Sequence, residues 1–160
     1  MAFGVYKINL SRGRHVELIR SVIEEFAPRF VPGCALVYAR DTGAKRGHFD
    51  KDLLRCLGVQ LDSQGKMPHV VLHCAARNRL LLVESVTSHR LMNDRRRAEL
   101  VKLFAGSSAG LVFVSAFPNR ASLGRYLGEI AWETDVWVAD APSHLIHFNG
   151  ERFLGPYHSA

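Results

Sequence analysis

The sequence has few cysteines, few lysines and no long apolar run, and each of these shortages excludes a class of protein. Its three cysteines, Cys34, Cys56 and Cys74, are far apart and form no CxxC pair. This spacing argues against a zinc finger or a disulfide framework, and it predicts reduced thiols in a cytoplasmic protein. The longest apolar runs have the length of a strand and no signal peptide is apparent, so we expect no membrane partner.

Arginine supplies most of the positive charge of this chain. Of the 21 basic residues, 16 are arginine and 5 are lysine, and the formal net charge is +6. Because the planar guanidinium group binds phosphates and base edges bidentately, this balance favours a nucleic-acid partner, although a basic surface also simply aids solubility. With 160 residues, 48% of them hydrophobic, residues 1–160 are long enough to form one domain with its own core.

The segment 67–90 contains the residues with the clearest chemical meaning. Its Val- and Leu-rich runs predict two strands, Val70–Cys74 and Arg79–Val86, joined by the short polar connection Ala75–Asn78. If the turn is centred in this connection, the strands pair antiparallel and His69 lies opposite Glu84.

Glu84 is unexpected in this strand. In the predicted register Val71 lies opposite Leu82 and His73 opposite Leu80, so the carboxylate stands within an apolar surface. An unpaired buried charge is very costly. Glu84 is therefore either held by a structural partner, or protonated, or part of a functional site that binds a metal.

The motifs around these strands resemble the BsuBI/PstI family of type II restriction endonucleases, which belongs to the PD-(D/E)XK superfamily. The family's Lys-Met-Pro-Asp-Val-Val motif corresponds to residues 66–71, KMPHVV, and its Glu-Ala-Val-Thr-Ser-His-Gly motif corresponds to residues 84–90, ESVTSHR. The likeness continues through 109–117 (AGLVFVSAF), 131–140 (AWETDVWVAD) and 147–156 (HFNGERFLGP), and so covers nearly the whole chain.

This resemblance implies a fold and an activity. The fold is an α/β PD-(D/E)XK core, in which helices flank a central mixed sheet. The implied activity is metal-dependent hydrolysis of double-stranded DNA at a short palindrome, by a homodimer whose two-fold symmetry matches the site. The resemblance further implies Mg²⁺ as cofactor and a companion DNA methyltransferase. Members of the family carry an additional N-terminal DNA-binding region, which we expect to be absent from this chain.

Three positions depart from the motifs, and the first is the most important. The metal-binding Asp of the family is His69 here, its Gly is Arg90, and the superfamily lysine is Val86, a departure that the family shares. A histidine nitrogen suits Mn²⁺ or another transition metal better than Mg²⁺. His69 is therefore either a metal ligand together with Glu84, or a neutral histidine that pairs with Glu84.

With no lysine at position 86, another polar residue must orient the attacking water. The candidates are Thr87, His89, Lys66 or an arginine of the following helix, and His89 is preferred because it matches a family position. The predicted catalytic residues are thus Glu84, His69, His89 and Thr87, and the first two are also the predicted metal ligands.

Two basic segments are candidates for contact with DNA. Lys45 and Arg46 lie in a glycine-containing loop, which is either a phosphate-binding loop or a simple turn. Arg95, Arg96 and Arg97 fall in the first turn of a predicted helix, where the helix dipole disfavours cations. These three arginines indicate either an anionic partner or an exposed charged face.

Hydrophobic periodicity predicts the other elements. Helices are expected at Ser11–Phe30, Asp52–Leu57, from the N-cap Asn93 to about Ala105, and Ser122–Ile130; strands at Ala35–Ala39, Leu111–Phe117 and Asp135–Ala139; and a hairpin at 144–154. Trp132 and Trp137 are predicted to lie in the core. Glu24 and Glu25 are predicted to be solvated, although related nucleases sometimes take a metal ligand from this helix.

Three functions follow from these observations. The first is a site-specific deoxyribonuclease, which the motif around Glu84 favours. The second is a DNA-binding module with impaired catalysis, which His69 favours. The third is a structural or partner-binding domain that needs a separate subunit for DNA recognition.

Overall fold

A computed structural model describes residues 14–40, 47–61, 67–87 and 91–148 of the chain. Seven strands form one sheet in the order β2-β1-β3-β4-β5-β6-β7. The strands are β1 Ala35–Ala39, β2 His48–Phe49, β3 Val70–Cys74, β4 Arg79–Ser85, β5 Gly110–Phe117, β6 Thr134–Val138 and β7 Leu145–Phe148. The helices are α1 Arg14–Ser21, α2 Ala27–Phe30, α3 Lys51–Cys56, α4 Asp94–Leu103 and α5 Arg120–Tyr126.

The sheet is mixed, as predicted. Strand β3 pairs antiparallel with both β1 and β4, whereas β4, β5 and β6 are parallel to one another. Parallel neighbours need crossover connections, which α4 and α5 supply. The carboxyl ends of β4, β5 and β6 therefore meet at one edge of the sheet.

Helices cover both faces of the sheet. On one face the first helical segment packs its apolar side against the sheet, and the ring centroid of Phe26 lies 5.7 Å from that of Trp137. On the other face, α3 and α4 contribute Leu54 and Leu100 to a second cluster that includes Leu82. Side chains of β4 alternate between these two clusters, which leaves every residue from 80 to 86 buried.

Most predicted elements are confirmed, with shifted ends. The strands Ala35–Ala39 and Val70–Cys74 have the predicted bounds, and β4 ends one residue before the predicted Val86. The first helix contains a π-helical turn at Val22–Phe26 that periodicity did not predict. The predicted Asn-Gly turn and the strand after it lie outside the described residues.

Two predictions about buried side chains were wrong. Cys34 and Cys74 form a disulfide and are not reduced thiols, because β1 and β3 are neighbours and bring the two Cα atoms to 4.4 Å. Only Cys56 is a free cysteine among the described residues. Trp132 is 69% exposed and does not join the core, because it lies in the turn before β6; Trp137, within that strand, is fully buried as predicted.

No helix in the described ranges is both long and apolar enough to cross a membrane.

Candidate active site

The predicted register of the central hairpin is confirmed, and it places His69 beside Glu84. Val71 pairs with Leu82 and His73 with Leu80. His69 lies immediately before β3 and is only 4% exposed. Glu84, near the end of β4, is fully buried.

One carboxylate oxygen of Glu84 is held by Arg96. Nε of Arg96 donates to Oε1 at 2.7 Å, and its Nη2 lies 2.6 Å from the same oxygen. Arg96 reaches this position because the side chain of Asn93 caps α4 and accepts the backbone N–H of Arg96 at 2.8 Å. The carboxylate of Glu84 stabilises the positive charge of Arg96, which the helix dipole disfavours in the first turn of α4.

The other oxygen, Oε2, has no hydrogen-bond partner among the described residues. Nδ1 of His69 lies 2.8 Å from it, but the same Nδ1 accepts the backbone N–H of Ser85 at 2.9 Å. One ring nitrogen cannot accept the Ser85 N–H and donate a proton to Glu84 at the same time. Among the described residues, Oε2 therefore has a donor only in the tautomer in which His69 carries its proton on Nδ1, and none when Nδ1 accepts from Ser85.

The neighbours of Glu84 keep it ionised. Burial by itself raises the pKa of the carboxyl, because the interior solvates a charge poorly. The His69 imidazole and the Arg96 guanidinium oppose this effect, and the pKa of Glu84 lies below its ordinary value of 4.5. The contribution of Arg96 does not depend on the tautomer of His69. Glu84 is thus a carboxylate at neutral pH.

The site fits a divalent cation at Glu84 but offers few other ligands. Mg²⁺ commonly binds one or two carboxylates and completes its shell with waters and substrate phosphates, and Oε2 is the oxygen of Glu84 that Arg96 leaves unbound. In the observed arrangement the lone pair of His69 Nδ1 is taken by Ser85. The described residues contain no cluster of three or more His, Cys, Asp or Glu side chains that could hold a metal.

Helix α1 adds a residue that the sequence did not indicate. The ring of His15 contacts that of His69 edge-on, with centroids 4.4 Å apart. Its Nδ1 lies 3.3 Å from Oγ1 of Thr87, a predicted catalytic residue, which is exposed just beyond β4. Glu17 of α1 borders the same region as Thr87. Glu24 and Glu25, by contrast, are exposed as predicted.

The other candidate residues occupy different surroundings. Of the three arginines, Arg95 is exposed, Arg96 is buried on Glu84, and the guanidinium of Arg97 lies 4.9 Å above the Phe113 ring and 3.5 Å from Glu133. His89, Lys45 and Arg46 lie outside the described residues. Arg96 was thus predicted as a DNA contact, whereas the structure places it at the candidate active site.

Removing Arg96, the positively charged partner of Glu84, should strongly destabilise the fold. Arg96→Gln leaves the buried carboxylate of Glu84 without its charge partner, so we expect a loss of about 3–5 kcal/mol in the free energy of unfolding, measured with urea. Arg95→Gln is the matched control, because that side chain is 88% exposed, and its effect should stay within about 0.5 kcal/mol. Equal effects of the two substitutions would show that the Arg96–Glu84 contact is not an ion pair in solution.

Glu84 should also make stability depend on pH. Because its pKa is lowered by folding, its contribution is present above the ordinary value of 4.5 and is lost as the pH falls through the lower folded value. We expect the difference in unfolding free energy between the native chain and Glu84→Gln to be constant from pH 7 to about 5 and to shrink below that. A difference that stays constant down to pH 3 would contradict the prediction.

A mixed α/β sheet with a buried carboxylate near the end of a central strand, facing residue 69 just before the neighbouring strand, is the arrangement of a restriction-endonuclease-like domain. The chain belongs to the BsuBI/PstI restriction endonuclease domain family, which matches residues 3–151. This confirms the resemblance seen in the sequence.

Two relatives and one solved structure support this assignment. The chain is 62% identical over 151 residues to the type II restriction enzyme BsuBI of Bacillus subtilis, and 30% identical over 155 residues to the type II restriction enzyme AplI of Arthrospira platensis. These alignments cover 94% and 93% of the chain. The structure of the SdaI restriction endonuclease superposes with a TM-score of 0.87 at 46% identity over 94% of the chain.

The chain spans about half the length of these proteins: 48% of each of the two relatives and 47% of the SdaI chain.

Proposed function

We propose that this chain is the catalytic part of a type II restriction endonuclease, which hydrolyses phosphodiester bonds of double-stranded DNA at a short palindromic site. The observation that carries this proposal is Glu84, a buried carboxylate with one oxygen that Arg96 does not bind, on a domain whose family consists of restriction endonucleases. An ionised carboxylate oxygen is the kind of ligand that holds the cation in a cation-assisted hydrolysis.

Each residue of the site receives a role in this proposal. Glu84 holds a divalent cation, Mg²⁺ by family likeness, and Mn²⁺ or another transition metal where His69 joins as a ligand. When bound, the cation polarises the phosphate and lowers the pKa of the attacking water. Arg96 keeps Glu84 ionised and oriented. Thr87 and His89 orient the water, which is the role that the superfamily lysine would have at position 86.

The proposal extends to partners. Arg95 and Arg97, with Lys45 and Arg46, contact DNA phosphates, whose negative charge is the main source of affinity. A palindromic site favours a two-fold dimer, and a companion methyltransferase in the same cytoplasm protects the host DNA. Sequence recognition is assigned to the part of the relatives that this chain does not cover.

Incubation with supercoiled plasmid in Mg²⁺ and in Mn²⁺ tests the function. We expect metal-dependent nicking or discrete linear fragments, abolished by a chelator. Salt-dependent binding of duplex DNA without cleavage in any metal would contradict the nuclease and favour the DNA-binding module. Neither binding nor cleavage would favour a domain that needs a separate recognition subunit.

A further inference from the structure

A groove crosses the sheet edge where β4, β5 and β6 end. Helix α1 forms one wall and α5 the other, and the floor includes Thr87, Asn119 and Ala139, each within two residues of the end of one of these strands. Its volume is about 570 Å³, within the range of ligand-binding clefts. The carboxyl ends of parallel strands are a common place for ligands, because several loops converge there.

The groove presents cations that no described carboxylate neutralises. Arg14 on α1 and Arg125 on α5 line its opposite walls, and both are exposed. Among the described residues neither forms an ion pair, in contrast to Arg96 and Arg97. Glu17 is the one acidic residue among the described lining residues, and the hydroxyls of Ser21 and Ser122 add hydrogen-bonding groups. The charges therefore favour an anionic ligand.

The groove is continuous with the candidate active site. Thr87 borders the groove and follows Glu84 by three residues. His15, adjacent to Arg14 in the chain, contacts both Thr87 and the ring of His69. A polymer whose reacting group lies at Glu84 would therefore continue into the groove.

We propose that this groove binds the phosphodiester backbone of DNA beside the bond that is hydrolysed, with Arg14 and Arg125 each contacting a phosphate. This inference rests on the proposed function and adds a backbone-binding site on α1 and α5, away from α4 and its arginines. Glu17 opposes the ligand and limits the affinity of the site. Each phosphate contact releases counterions, so the site contributes to the salt dependence of binding.

Anisotropy of a short labelled duplex, titrated over a series of KCl concentrations in a chelator, tests the groove. For Arg14→Gln combined with Arg125→Gln, we expect weaker binding and a slope of log K against log[salt] that is shallower by about 2. The matched control combines Arg29→Gln with Arg77→Gln, two exposed arginines outside the groove, and should change the slope by much less. Equal slopes for the two double variants would overturn the proposal.

A substitution that removes a negative charge from the groove provides a second test of the proposal. Glu17→Gln removes the repulsive charge and should tighten duplex binding at low salt by several-fold. Glu24→Gln removes an exposed carboxylate about two turns further along the same helical segment and should have a smaller effect, because screening weakens charges at that distance. If both variants increase the affinity for duplex DNA equally, the effect comes from net charge alone and the groove proposal is overturned.

These outcomes separate the groove from the proposed function. If the native chain binds duplex DNA and the groove variant behaves as its control does, the groove proposal fails while the nuclease proposal stands. If the groove variant shows the expected loss but no metal supports cleavage, the groove stands and the nuclease proposal fails. If the native chain binds no duplex even at low salt, both fail.

Discussion

His69→Asp is expected to raise the rate of plasmid cleavage in Mg²⁺ by about 100-fold or more, because a second carboxylate then faces the cation beside Glu84. In the observed site Glu84 supplies the one carboxylate among the described residues, and its Oε2 lies 2.8 Å from Nδ1 of His69, a nitrogen that suits Mg²⁺ poorly. An aspartate can accept the Ser85 N–H with one oxygen and bind the cation with the other. Initial rates of plasmid nicking in Mg²⁺ and in Mn²⁺ measure the effect.

His73→Asp is the matched control, since it makes the same chemical change four residues along, on the half-buried His73. It should leave the cleavage rate unchanged within a few-fold. If His69→Asp cleaves the plasmid and the native chain does not, the native chain is a nuclease that lacks one metal ligand. Equal cleavage by the native chain and His69→Asp would contradict the prediction and make His69 a working ligand or a spectator.

Mg²⁺ binding gives a readout that does not depend on cleavage. Two carboxylates at the site repel each other when no cation is bound. The melting temperature of His69→Asp should therefore be lowered in a chelator and restored in Mg²⁺. The native chain should show a smaller metal-induced increase. No increase in either protein would show that position 69 does not contribute to a metal site.

Glu84→Gln, made in the His69→Asp background, is expected to remove the whole gain in cleavage and the stabilisation by Mg²⁺. The amide has nearly the same shape but lacks the charge that a hard cation requires. Glutamine also takes the fully buried carboxylate away from Arg96 and leaves the half-exposed Glu99 as its partner on α4, so the unfolding free energy should fall by about 3–5 kcal/mol. Plasmid nicking and urea unfolding measure the two consequences.

Glu99→Gln is the control for that experiment. Glu99 also contacts Arg96, at 3.3 Å, but it lies on α4 and is 42% exposed. Its substitution should keep cleavage within a few-fold and cost about 1 kcal/mol or less. Comparable losses from both substitutions would mean that Arg96, and not a cation at Glu84, carries the activity.

Several features of this chain could be predicted from local patterns. The pairing of β3 with β4 follows from the alternation of apolar residues around a short polar connection, and the observed register agrees with it. The start of α4 follows from Asn93, whose side chain caps the helix as predicted. Both features depend on residues close together in the chain, which is why sequence reasoning finds them.

The surroundings of Glu84 could be predicted only in part. An ionised residue in a buried strand must have a partner, and this much followed from the cost of burying a charge. The identity of that partner did not follow, because all three adjacent arginines look alike in sequence. Only the direction in which α4 leaves its cap places Arg96 on Glu84, exposes Arg95 and turns Arg97 towards Phe113.

Local sequence patterns were thus sufficient to predict the hairpin, its register, the buried carboxylate opposite position 69 and the family. Tertiary packing brings together residues that no local pattern links: Arg96 with Glu84 and His15 with His69 at the site, and Cys34 with Cys74 at the other end of β3. These contacts depend on how strands and helices separated by many residues pack, and no short-range periodicity encodes that packing. The groove between α1 and α5 arises from the same packing.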